Sequence, residues 1–277
     1  MASDPSQVTV HFQPERRLDV IDVNEHIEAK TDGFLRSHRK ALYCSHHTTG
    51  GFLEQTICNR LDQQPDQVQE FLAPFRELFP FGANYQHDQL HLRKELSPEQ
   101  RRTEPRNADS HLTFIGSGLE NCVTYPSDPS RPVFFVDLDG VNKDSRDRRE
   151  RRATVIGYDG ESPVHESEIT VPVSNHRIDS VSLRDPRLGL FDQLHEMLAE
   201  RGITTGRVTI ELPPGEKHAG LTVNEYETLL MKHDLADVLR DPLRFMARKG
   251  RNMLSDPGAI PDKAKNYAKY DLVRLVN

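Results

Sequence analysis

The chain has 277 residues, a formal charge of −7 from 36 basic and 43 acidic side chains, and 35 % hydrophobic residues. That length can bury a full core and suggests about two domains of ordinary size. The acidic balance argues against general binding to nucleic acid or anionic membrane, and no apolar run approaches the ~20 residues of a membrane span. The start, MASDPSQVTV, has no basic segment leading into an apolar one, so no signal peptide is expected. Three cysteines without paired spacing (Cys44, Cys58, Cys122) read as reduced thiols of a cytoplasmic protein.

In chain order, VTVHF alternates apolar and polar positions as a half-buried strand does. RKALYCSHH reads as a second strand that runs into the turn-forming Thr48-Thr49-Gly50-Gly51, and GFLEQTICNRL reads as a short helix. A stronger helix is expected from about Asp66 to Phe79. Its Val68, Phe71, Leu72, Phe75, Leu78 and Phe79 share one face, and Pro74 marks a kink or boundary. From Pro80 to His111 apolar periodicity fades, and a polar stretch of that length with several histidines and Tyr85 reads as functional. Strand signals return in LTFIG, NCVTYP, PVFFVDL and RATVIGY, separated by Gly, Pro and Asp, which predicts an antiparallel sheet.

After about Glu161 the character changes. Leu188, Leu190, Phe191, Leu194, Met197 and Leu198 mark an amphipathic helix ending at Gly202, and RVTIEL reads as a strand. Thr222 and Glu225 form a capping-box pattern before NEYETLLMKHD, and the basic tail 244–269 reads as solvated surface. Residues 1–161 and a mostly helical extension with some strand, 162–277, are the expected domains.

Three polar knots stand out: SHHTTGG, NYQHD and NADSHL. Imidazole is the commonest protein ligand for zinc, and catalytic sites often use three protein ligands with one open position. His47, His87 and His111 would supply three nitrogens if the fold joined the knots, with Asp88 and Asp109 orienting the rings. The long intervals and thirteen histidines make this grouping unspecific on spacing alone, and scattered hydrogen-bonded histidines compete with it.

The knots, in this order, resemble the YjbQ family, whose members are sometimes labelled secondary thiamine-phosphate synthases. His47-Thr48, Tyr85-x-His87-Asp88, and Ser110-His111 preceded by Asn107 and Asp109 carry the resemblance over about residues 8–161. It implies an α+β domain, an antiparallel β-sandwich with flanking helices, assembling as a homotrimer. It further implies three histidines around a divalent ion, zinc foremost with manganese or iron as alternatives, near a subunit interface. Thr48, Tyr85, Asn107, Ser110 and Arg152 would bind a small anionic, phosphorylated metabolite, and Glu54, Asp88, Asp109 or Asp137 would serve as general base. The chain departs from the family pattern in carrying Glu54-Gln55 for an asparagine–glutamate pair, VFFVDLDG for a tryptophan-bearing strand, and the extra region after Glu161.

VFFVDLDGVN also matches the short motif of haloacid-dehalogenase-type phosphatases, with Asp137 as nucleophile and Asp139 as proton carrier. Against it, no further acidic pair follows at a suitable place, and NKDSRDRRERR leads straight into the next strand like a hairpin. Guanidinium groups of that run (Arg146, Arg148, Arg151, Arg152), with Arg93 and Arg106 beside the histidines, suit an anionic ligand, and a solvated face is the competing reading. The sequence therefore points to a metal-dependent enzyme acting on a small anionic metabolite. The alternatives are a non-catalytic metal-binding trimer and the phosphatase.

Overall fold

A computed structural model describes residues 4–93, 96–143, 145–162, 164–171, 179–204, 206–216 and 219–222. The chain divides into two units, Met1–Glu166 and Ser167–Asn277.

In the first unit, β1 (Ser6–Phe12), β7 (Arg151–Tyr158), β3 (Lys40–Ser45) and β5 (Cys122–Pro126) form a four-stranded antiparallel sheet in the order β1-β7-β3-β5. A three-stranded antiparallel sheet takes β2 (Asp19–Asp22), β6 (Phe134–Asp137) and β4 (Gly50–Phe52) in the order β2-β6-β4. Alternation explains the first sheet. Val8, Val10 and Phe12 of β1, Ala41 and Tyr43 of β3, and Ala153 and Val155 of β7 all point inward. They share one core with Phe52, Phe134, Phe135 and Val136 of the second sheet. Phe135 is the hub, with edge-on ring contacts to Phe12 at 4.9 Å and Phe52 at 5.5 Å. Full burial of a side chain of that size stabilises the fold by about 1.5–3 kcal/mol.

Helices close the unit: α1 (Val23–Lys30), α2 (Gln55–Arg60), α3 (Pro65–Leu78), α4 (Pro98–Thr103) and α5 (Ala108–Ser117). The Asp22 side chain caps α1 by accepting from Asn24 N–H. Pro65 opens α3 where a missing N–H costs nothing, Val68 and Leu72 bury one face, and Pro74 is accommodated inside the helix. Ser97 and Gln100 form a capping box on α4.

The segment LTFIG, expected as a strand, lies inside α5. Its apolar run is buried on several sides, which removes the amphipathic period that separates helix from strand. Gly118 ends the helix in the left-handed conformation at φ 72°. The charged run after Val141 does not join β6 and β7 as a hairpin, because those strands belong to different sheets. It makes its own turn, with Val141 bridged to Arg148, while the chain crosses from one sheet to the other.

In the second unit the described residues include α6 (Leu190–Glu200) and a parallel pair, β8 (Asp179–Ser182) with β9 (Ala219–Thr222). Val181, Leu188 and Leu190 are the buried centre of a small cluster. The segment RVTIEL is not a strand: it joins no sheet among the described residues and leaves Val208 and Ile210 exposed. The expected capping box at Thr222 and Glu225, the helix after it and the basic tail lie outside the described residues. No helix among the described residues is long and apolar enough to cross a membrane.

Candidate functional site

The inner end of β6 delivers Asp137 to a position with no solvent exposure. Arg151, the first residue of β7, clamps it with both arms of its guanidinium: Nε donates to Oδ2 at 2.6 Å and Nη2 to Oδ1 at 2.8 Å. Asp139 N–H donates to the same Oδ1 at 3.0 Å, and Arg151 Nη2 also donates to the Asp139 carbonyl at 3.0 Å. Burial pushes the Asp137 carboxyl up, and the Arg151 guanidinium opposes that. A phosphatase nucleophile must be reachable at the tip of a parallel sheet. Here both carboxylate oxygens are occupied and the sheet is antiparallel, so the geometry corrects the phosphatase reading of Asp137.

Asp139, also without solvent exposure, is the centre of a second polar cluster. Its Oδ1 accepts from Arg17 Nη1 at 2.8 Å, and its Oδ2 accepts from Asn107 Nδ2 at 2.9 Å and lies 2.6 Å from Arg149 Nη2. Arg17 is on the loop between β1 and β2, which reaches the site because residue 140 is glycine. A Cβ there would meet Pro14 Cβ at 2.4 Å and the Arg16 carbonyl at 2.6 Å. The other arm of Arg17, Nη2, donates to Asp109 Oδ1 at 2.9 Å and Oδ2 at 3.1 Å. Asp109 is therefore paired with a guanidinium rather than turned to a histidine, and burial pushes its carboxyl up against that guanidinium. Ser110 Oγ donates to the Leu138 carbonyl at 2.8 Å. Arg17 and Lys143 both lie over the Phe81 ring, at 5.0 and 3.7 Å from its centre. Asn107 Oδ1 and Arg149 Nε are buried without hydrogen-bond partners among the described residues, an acceptor and a donor against one carboxylate.

Beside this cluster, fully buried His87 sits with Nδ1 3.1 Å from Asp88 Oδ1, and the same oxygen accepts from Ala108 N–H at 3.0 Å. That second bond fastens the histidine loop to the N-terminal end of α5, where a carboxylate is also favoured by the helix dipole. The rings of His87 and His111 lie 4.9 Å apart at 54°. Tyr85, on the same loop, is also buried.

His47 is held differently. Its N–H donates to Ser45 Oγ at 3.1 Å and its carbonyl accepts from Asn121 Nδ2 at 2.6 Å. Its ring Nε2 accepts from the Arg152 backbone N–H at 2.8 Å. A backbone N–H can only donate, so the neutral ring carries its proton on Nδ1. Burial is the first cause that pushes the imidazole down to about 4, followed by Arg151, His46, Arg152 and Arg149. His46, with Nε2 at 2.9 Å from Thr154 Oγ1, is also pushed down, by burial and by Arg152.

The three expected ligand histidines are thus split. His87 and His111 are neighbours, whereas the acceptor nitrogen of His47 is occupied by Arg152. Among the described residues no three His, Cys, Asp or Glu side chains are grouped to hold a metal ion. The donor set of one chain does not fit the three-histidine centre that the sequence suggested.

The remaining expected residues are scattered. Glu54 is exposed at the start of α2 and accepts from Thr56 Oγ1 in its own turn. Thr48, Arg106 and Arg146 are exposed, and Arg93 pairs with Glu104 at 2.8 Å. Arg148 donates to the carbonyls of Pro14 and Gln13, which straps the β1–β2 loop in place. Arg17 and Arg149 were not singled out from the sequence. Arg17 meets Asp139 across 122 positions, and no local pattern announces such a contact.

No protein-family model matches the sequence, and no curated protein matches it. Among solved structures, a YbjQ-like protein of unknown function from Sulfolobus solfataricus P2 is similar at 15 % identity and a TM-score of 0.38, over 57 % of this chain and 99 % of that one. A hypothetical protein from Aeropyrum pernix K1 is similar at 22 % identity and 0.35, over 56 % and 99 %. An uncharacterized conserved protein of the YjbQ family from Clostridium acetobutylicum is similar at 16 % identity and 0.35, over 53 % and 97 %. The chain has a structural match to YjbQ-family proteins over about half its length.

Proposed function

We propose that the first unit is an enzyme that binds a small phosphorylated metabolite at the His46–His47 edge and transfers a proton through His47. The observation that carries this reading is the seat of His47: a ring bonded to the Arg152 main chain in a field of guanidinium groups. Arg151 is neutralised by Asp137, and Arg149 faces Asp139. No carboxylate among the described residues pairs with Arg152. The local field is therefore positive, and an imidazole N–H beside guanidinium donors suits phosphoryl oxygens.

The chemistry follows from the same geometry. In the empty state His47 is neutral and offers Nδ1–H as a donor. A bound phosphate offsets the guanidinium field and raises the imidazole pKa toward neutrality, the range in which a general acid–base group works best. The second proton can enter only at Nε2, so protonation must release the Arg152 N–H. His47 then has a proton to give to a departing oxygen, and the Arg152 bond re-forms when it leaves. Calorimetric titration with simple phosphate monoesters tests this reading. Binding in the wild type that weakens in Arg152→Ala supports it, and the absence of binding to any phosphate ester sinks it.

A second reading is favoured by the His87–Asp88 contact, since a histidine that ligates a metal usually has its other nitrogen on a carboxylate. His87 and His111 would hold one side of a divalent ion, zinc foremost, with the other donors from ligand or from neighbouring copies in a trimer. No step is assigned to that ion. Elemental analysis of the purified protein beside His87→Ala and His111→Ala checks it: about one ion per chain, lost in both variants, is the expected result. Metal retained in both would remove these histidines from any such site.

A further inference from the structure

Cys44 and Cys122 are 78 positions apart and show no motif spacing, yet they are directly opposite each other on β3 and β5. The pairing type matters. Ser45 N–H donates to the Asn121 carbonyl at 2.7 Å, so Ser45 and Asn121 form a hydrogen-bonded pair of the antiparallel ladder. The next pair along, Cys44 with Cys122, is then of the non-hydrogen-bonded kind. There Cα atoms lie about 4.5 Å apart and the side chains approach most closely. Disulfides need Cα separations of about 4.4–6.8 Å, so this pair sits at the close end of the permitted window. Burial agrees on the direction. Ala41 and Tyr43 of β3, with Val123 and Tyr125 of β5, face the core, which puts both cysteines on the opposite face. Cys122 is exposed and Cys44 half-buried, whereas Cys58 is buried in the core.

We infer that Cys44 and Cys122 are a modification site: a dithiol that closes to a cross-strand disulfide when it meets a low-molecular-weight disulfide. The exposed Cys122 thiolate attacks one sulfur of the small disulfide and releases one equivalent of the small thiol, leaving a mixed disulfide on Cys122. The Cys44 thiolate then attacks the Cys122 sulfur, forms the Cys44–Cys122 bond and expels the second equivalent. The protein loses two electrons and the reagent gains them, and the two protons from the cysteines end on the two small thiols. The close Cα spacing favours a bond that reducing thiols reopen, as in labile rather than structural disulfides. The site touches the histidine edge: Cys44 precedes Ser45, which holds His47 N–H, and its partner on the other side is Thr154, which meets His46.

The test is incubation of the folded full-length protein with excess oxidised glutathione, followed by mass spectrometry of the intact chain and its peptides. The expected product is a monomer lacking two hydrogen atoms, with Cys44 and Cys122 peptides linked, Cys58 still a thiol, and full reversal by reduced glutathione. In Cys44→Ser the reaction should stop at a glutathione adduct on Cys122, while Cys58→Ser should react like the wild type. A persistent adduct on Cys122 in the wild type, a disulfide involving Cys58, or dimers linked between chains would each overturn the inference. The urea-unfolded chain, which lacks the strand pairing, should show no preference for the Cys44–Cys122 link. An equal preference there would show that the fold does not direct it.

Discussion

The two charged faces at the start of β7 differ in one respect that bears on what each can do. At the inner end, Asp137 and Arg151 satisfy each other through two hydrogen bonds in a place with no exposure of the carboxylate. At the outer edge, Arg152 follows immediately in sequence but points the other way, beside two histidines that are both held below their ordinary range. A compensated buried pair ties strands together and has no spare valence for a ligand. A half-open cationic edge that has no carboxylate partner among the described residues has that valence. The motif that looks most catalytic in the sequence, VFFVDLDG, therefore belongs to the architecture, and the plainer SHHTT is where the proposed chemistry is placed.

The sharpest way to break this contrast is Arg151→Met. It strips Asp137 of its partner and leaves a carboxylate buried, which should cost about 3–5 kcal/mol in denaturant unfolding. A loss below about 1 kcal/mol would mean that Asp137 does not depend on the clamp. The neighbouring Arg152→Ala should behave in the opposite way. Unfolding should be unchanged, while affinity for phosphate monoesters falls roughly tenfold, about 1.4 kcal/mol. If the two variants had equal effects on stability, the division between the two faces would fail.

A third effect is a slope with pH. The folded-state pKa of His47, about 4, lies below the ordinary value of 6.5. Above pH 6.5 the ring is neutral in both states and contributes no pH dependence. As pH falls from 6.5 toward 4, the unfolded chain takes up a proton that the fold refuses, so stability declines through this window. His47→Gln should flatten that part of the stability curve relative to the wild type. An unchanged slope would assign it to other groups.

Much of the frame was legible because period-two alternation in β1 and β7 and the apolar stripe of α3 are local signals. The strand β2 was not read, since its four residues are all half-buried and carry no alternation to detect. LTFIG misled because a short apolar run buried on several sides looks alike in helix and strand. RVTIEL misled in the other direction: it has the composition of a strand, but among the described residues no neighbouring strand completes it. At the site, the sequence pointed to His47, His87, His111, Asn107 and the aspartates, but not to their partners. Arg17, Arg149 and the Arg152 main chain are set against them by tertiary contacts spanning long stretches of chain. Those contacts divide the histidines, and the opposed cysteines are hidden for the same reason.

The most direct test of the central claim is an NMR titration of the His47 ring and the Arg152 amide, with and without inorganic phosphate. The expected result without phosphate is a midpoint near 4, with the Arg152 amide shifting in step as Nε2 is protonated. Phosphate should then move the midpoint upward. A His47 midpoint near the ordinary 6.5, or one that phosphate leaves in place, would contradict the account.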